Sequence, residues 1–159
     1  MFFQFILDTN PAGPVSAGGF GLGYLAILLV FLIVVFVIIR LAWKKLSRPE
    51  LHGMDREVIA KTWQQLLQMS EQGVMGAKLS VIEADKLLDQ ALKSMMMPGE
   101  TLGERLKSAG YKYPSLRQVW NAHRLRNQLV HDASFEITIR QAKQALRDFE
   151  AALKTLNVM

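Results

Sequence analysis

AHRLRNQLVHD, residues 122–132, sets charged and polar side chains among leucines and valines at helical spacing. Placed on a wheel at about 100° per residue with His123 at zero, the segment 115–131 divides into three arcs. Arg117, Asn121, Arg124 and Gln128 share one outward face, and Ala122, Leu125 and Leu129 share an apolar one. The third arc mixes Leu116, Val119, Trp120 and Val130 with His123, Arg126, Asn127 and His131. A buried arginine without a partner is strongly unfavourable, so these groups either pair inside the fold or line a groove or subunit interface. Asp85 is the candidate partner: it falls at the edge of the apolar stripe of an upstream helix, where it can meet Arg126 or His123, while Glu83, Lys86, Gln90 and Lys93 face away.

Working outward, everything after residue 54 reads as helix bounded by capping signals. Asp55 is placed to start a helix to about Gln72, which Gly73 and Gly76 interrupt. The next helix, about 77–96, carries Ala77, Val81, Ala84, Leu88, Ala91, Leu92 and Met95 as one stripe, and Pro98 with Gly99 ends it. Met95–Met97 reads as adaptable core filler at a helix end. Thr101 with Glu104, Ser115 with Gln118, and Thr138 with Gln141 each match a capping box, a side-chain oxygen and a carboxylate or amide satisfying free backbone N–H groups. Ile137 is placed to staple the last of these helices, whose buried side is Ala142, Ala145, Leu146, Phe149, Leu153 and Leu156. No run alternates with period two. The expectation is an all-α, antiparallel bundle of about five helices over 55–159.

Upstream, LGYLAILLVFLIVVFVIIRLAW is free of charge from Leu22 to Ile39. About 20 residues at about 1.5 Å each span a hydrocarbon layer of roughly 30 Å. A cleaved signal peptide places its cations before the apolar run; here Arg40, Lys44, Lys45 and Arg48 follow it, with no cleavage pattern. The reading is a single-pass membrane helix over 22–43, a short extracytoplasmic tail over 1–21, and a basic juxtamembrane linker over 44–54. The cations, with Trp43 as an interfacial aromatic, put the main domain in the cytoplasm and the amino terminus outside.

Charge and composition narrow the chemistry. Of 19 Lys/Arg and 14 Asp/Glu, four cations and Asp8 precede Pro49, so the remaining domain is nearly balanced. One stretch departs from that balance: Arg105, Lys107, Lys112, Arg117, Arg124 and Arg126 meet no acid before Asp132. Such a run is either a solvated face or a surface for phosphate. There is no cysteine, and His52, His123 and His131 are too scattered for a zinc site, so neither metal nor cofactor is expected. Glycine-rich phosphate loops, His-Glu-x-x-His and serine nucleophile elbows are absent from the sequence.

Arg126-Asn127-Gln128-Leu129-Val130-His131, late in an all-α domain, resembles the signature of the HEPN superfamily (higher eukaryotes and prokaryotes nucleotide-binding). The resemblance covers about 55–156. It implies metal-independent RNA cleavage by a homodimer joined through the helix carrying Trp120 and His131. In that reading His131 moves the proton, Arg126 holds the phosphate and Asn127 orients either of them. His123 and Asp85 stand behind them as supporting residues, and Arg117 and Arg124 guide RNA. The alternative is a membrane-tethered, non-catalytic scaffold or interaction module in which Arg126, Asn127 and His131 are structural.

Overall fold

The computed structural model describes residues 20–46 and 49–159 and divides the chain into two units at Ser47/Arg48. The described residues of the first unit form one helix, α1 (Phe20–Leu46). Its segment Gly23–Trp43, 21 residues with a mean hydropathy of 3.2, is long and apolar enough to cross a membrane, and none of its side chains is buried within the protein. The Arg40 guanidinium lies 5.8 Å from the centroid of the Phe36 ring. Lys44 and Lys45 belong to the last turn of α1, but their side chains, all of Arg48 and the tail 1–19 lie outside the described residues.

The second unit is all-helical: α2 (Arg56–Ser70), α3 (Gly73–Ser94), α4 (Leu102–Lys112), a short 3-10 helix (Pro114–Gln118), α5 (Val119–His131) and α6 (Ile139–Thr155). Among the described residues there is no strand. The central helix is α3, which packs against α2, α4, α5 and α6. Its predicted stripe from Ala77 to Leu92 is buried, Met95 packs partly against it, and the six predicted residues of α6 are all buried. Trp63, Leu106, Leu116 and Val119 complete the core from the other elements.

Several local expectations change. The segment 49–54 is part of the domain rather than a linker. Leu51 and Met54 pack on the core, the His52 amide donates to the Ser94 carbonyl at 2.8 Å, and Arg56 donates to the Pro49 carbonyl. Gly73 and Gly76 do not break the chain between helices but open α3. A Cβ at Gly76 would sit 2.2 Å from the Met69 carbonyl oxygen, so this glycine permits the close turn from α2 into α3. Ser115 and Gln118 form no capping box; the chain there winds as a 3-10 helix, and α5 begins only at Val119 without a side-chain cap. The Thr138/Gln141 box forms in full, with Ile137 buried beside it. At Thr101 the hydroxyl accepts from the Glu104 amide at 3.2 Å, but the Glu104 carboxylate reaches back to the Glu100 amide at 2.7 Å, one residue before the cap.

Candidate functional site

The central helix presents Asp85 toward the middle of α5, and four side chains close into a ring there. Asp85 Oδ1 lies 2.7 Å from His123 Nδ1. His123 Nε2 lies 3.3 Å from Asn127 Nδ2, and Asn127 Oδ1 accepts from Arg126 Nη1 at 3.1 Å. Arg126 Nε then returns to Asp85 Oδ2 at 3.2 Å. That last contact is an ion pair without an aligned hydrogen bond, because the Nε–H is not aimed at an acceptor. Both partners foreseen for Asp85 are therefore engaged at once, and the acid's side chain is only 5% exposed.

Helical spacing explains the ring. Residues 123 and 127 are one turn apart on the same face, and 126 flanks them by about 60° on the side of 123 away from 127. The hydrogen-bond pattern also assigns the histidine tautomer. Asn127 turns its carbonyl to Arg126 and so its amide to Nε2, which leaves Nδ1 to carry the proton donated to Asp85. Trp120 packs edge-on against the imidazole with centroids 6.1 Å apart.

Beside the ring opens a cleft of about 500 Å³, walled by Asp85, Lys86 and Asp89 of α3, the start of α4 at Gly103, and His123 and Arg126 of α5. A Cβ at Gly103 would stand 3.7 Å from Trp120 Cη2 and 3.9 Å from His123 Nε2, so α4 begins directly over that aromatic pair. Arg126 is 29% exposed at its side chain, and its Nη2 makes no hydrogen bond. Among the described residues no cluster of His, Asp and Glu is arranged to hold a metal ion.

The structure does not bring His131 into this site. It is exposed at the end of α5, without a hydrogen bond or ion pair. Five residues of helix turn it about 140° away from Arg126, so the two side chains leave α5 in different directions. Just beyond it, Asp132 Oδ1 accepts from both the amide and the hydroxyl of Ser134. Those bonds, the hydroxyl's first, hold the Asp132 carboxyl below its ordinary value. Arg117 and Arg124 are exposed on the outer face, where Arg124 donates to Asn121 Oδ1 at 2.6 Å, and neither contacts the ring.

One residue of the basic stretch leaves it altogether. Arg105 is 4% exposed and bonds Asp89 Oδ1 at 2.8 Å, the Glu100 carbonyl at 2.9 Å and the Gly99 carbonyl. Burial works to raise the Asp89 carboxyl, but the hydrogen bonds and charges of Arg105 and Lys93 outweigh it and hold it below the usual value. The sequence signal was available: Arg105 falls beside Leu102, Leu106 and Ala109 on the inner face of α4. No protein-family model, curated protein or solved structure matches this chain.

Proposed function

We propose that the chain is a membrane-tethered helical interaction module in which His123, Asn127 and Arg126 are structural, fixing α5 to the central helix through Asp85. The observation that carries this reading is the closed ring: each polar group on the inner arc of α5, His131 excepted, is committed to a neighbour inside the same chain. A buried carboxylate held by two side chains of another helix fixes register between the two, which is a structural use of charge. The tether is α1, and the cations after its apolar run favour a cytoplasmic domain.

A second reading, the HEPN-like ribonuclease built from two copies, is favoured by one specific feature. The Nη2 corner of Arg126 is unused at the rim of the cleft, and the exposed His131 is free to serve a partner's site. The full chain in detergent, incubated with mixed-sequence RNA and excess EDTA, separates the two readings. The module predicts no cleavage, an Arg126→Ala variant of reduced stability, and a His131→Ala variant indistinguishable from wild type. Cleavage that vanishes in folded Arg126→Ala and His131→Ala would establish the ribonuclease and overturn the module.

A further inference from the structure

The ring around Asp85 satisfies its members in one protonation state only, because each bond in it has a direction. His123 Nδ1 donates to Asp85 Oδ1 at 2.7 Å, the Asn127 amide donates to His123 Nε2 at 3.3 Å, and the Asn127 carbonyl accepts from Arg126 Nη1 at 3.1 Å. The imidazole in this arrangement is neutral, and its lone pair on Nε2 is the place for a second proton. Imidazole is the side chain whose charge ordinarily changes between about pH 5 and pH 8.

A second proton reverses two bonds in turn. An Nε2–H opposite the Asn127 NH2 sets donor against donor, and inverting the carboxamide returns an acceptor to the imidazole. The inverted carboxamide then presents its NH2 to Arg126 Nη1, which is again donor against donor. Of the two cations, the guanidinium is the one with room to move. Its side chain is 29% exposed at the wall of the 500 Å³ cleft, and its hold on Asp85 is an ion pair at 3.2 Å with the Nε–H unaligned. His123 is 12% exposed and packed between Asp85 and Trp120. The other charged groups nearby are already engaged. From α3, Lys86 pairs with Glu83, and Asp89 is held by Arg105 and Lys93. From α4, Thr101 and Gly103 bring no charge, and the Glu104 carboxylate is turned to the Glu100 amide. From α5, Arg126 is the charged neighbour, Arg124 lying on the outer face.

From these observations we infer that the ring is a proton-operated latch: one proton taken up at His123 Nε2 inverts the Asn127 carboxamide and releases Arg126 from Asn127 into the cleft. The inference rests on the closed ring of the proposed module and gives that clasp one movable member. Proton uptake at His123 sets whether Arg126 is fixed along α5 or swings across the cleft, and Asn127 is the residue that transmits it.

The test follows the full chain in detergent by nuclear magnetic resonance, with isotopically labelled histidine, asparagine and arginine, from about pH 8 to about pH 5. His131, exposed and outside the ring, is the internal reference. At the upper limit the expected state has the His123 proton on Nδ1, close contacts from the Asn127 NH2 protons to the imidazole, and two resolved Nη nitrogens on Arg126. On acidification the Asn127 contacts disappear and the Nη nitrogens merge as the guanidinium begins to rotate, both with the midpoint of His123 and not with that of His131. In Asn127→Ala the Nη nitrogens are merged at every pH, because the amide that transmits the proton is gone. Asn127 contacts that persist through protonation of His123, Nη nitrogens that stay resolved in either protein, or no proton taken up by His123 above about pH 5 overturn the latch and leave the clasp standing. A His123 whose lone proton sits on Nε2 at the upper limit breaks the ring itself, and the proposed module falls with it.

Discussion

Replacing Asp85 with alanine tests whether the ring holds the bundle together. The carboxylate is 5% exposed and is the shared acceptor for His123 and Arg126. Losing a buried hydrogen bond to a charged acceptor costs about 1.5–3 kcal/mol. The Arg126 contact is worth less, because the guanidinium is 29% exposed and unaligned, and it adds about 0.5–1 kcal/mol after discounting for solvent. The expected loss is therefore about 2–4 kcal/mol, against a total stability on the order of 5–15 kcal/mol for a domain of this size. At roughly 4 °C per kcal/mol, the melting temperature falls by about 8–16 °C. Asp85→Asn keeps an acceptor for His123 and gives up only the charge, so its loss should be about half as large. His131→Ala, exposed and unpartnered, should stay within about 0.5 kcal/mol of wild type. The assay is urea and thermal unfolding of the full chain in detergent, followed by far-ultraviolet circular dichroism and by tryptophan emission in a Trp43→Phe background, where buried Trp63 and half-buried Trp120 report the bundle. An Asp85→Ala variant within about 0.5 kcal/mol of wild type would refute the reasoning and remove the ring as a structural element.

The remaining predictions concern the frame around the site. Gly76→Ala forces a methyl to within 2.2 Å of a backbone oxygen, and the α2–α3 turn should lose about 1–3 kcal/mol by urea unfolding. Met96→Gly removes a left-handed strain from an exposed side chain, and a gain of about 0.5–1 kcal/mol should appear as a higher melting temperature. Asp89 has a depressed carboxyl in the folded state, so its contribution is complete above the unfolded value of about 3.9 and is lost as pH falls through the lower folded value. Asp89→Asn should therefore be less stable than wild type at pH 7, with the difference closing only as pH drops below the ordinary carboxylate value.

Much of the bundle was legible because apolar stripes and caps are local signals. Thr138, Gln141 and Ile137 need no distant partner to do their work, and the α3 and α6 stripes follow from spacing alone. Asp85 was legible for a related reason, as an acid at the edge of an otherwise apolar face. What escaped depends on the approach of a second element. The pattern Ser115–Gln118 looks the same as Thr138–Gln141, but Pro114 and the seating of Leu116 in the core wind that turn as a 3-10 helix. Gly76 looks like a helix breaker until Met69 is placed against it. The strap at 49–54 carries only two apolar anchors, Leu51 and Met54, and its amide partner Ser94 is far along the chain. For the site, the sequence named all four ring members, but it also grouped His131 with them. Helical phase was the deciding quantity: the inner arc was drawn wide enough to include a residue that emerges into solvent.

The two readings of the site differ in what they ask of a single guanidinium. Arg126 has three nitrogens, and the ring engages two: Nε against Asp85 and Nη1 on Asn127. A forked grip on phosphate needs two adjacent donors pointing the same way: a grip through the Nε–Nη2 edge requires Arg126 to give up Asp85, whereas the Nη1–Nη2 edge can keep one Nη1 hydrogen on Asn127. Giving up Asp85 leaves a carboxylate that is 5% exposed with His123 as its remaining side-chain partner, which is the perturbation expected to weaken the whole bundle. His123 is no substitute base, because its Nε2 already faces the Asn127 amide. On the catalytic reading, phosphate would meet the Nη1–Nη2 edge of Arg126 and the exposed His131. A structural role asks for no rearrangement at all. The stability of Asp85→Ala and the silence of His131→Ala, measured together, decide between a fold in which the ring around Asp85 is a clasp and one in which Arg126 and His131 are kept for chemistry.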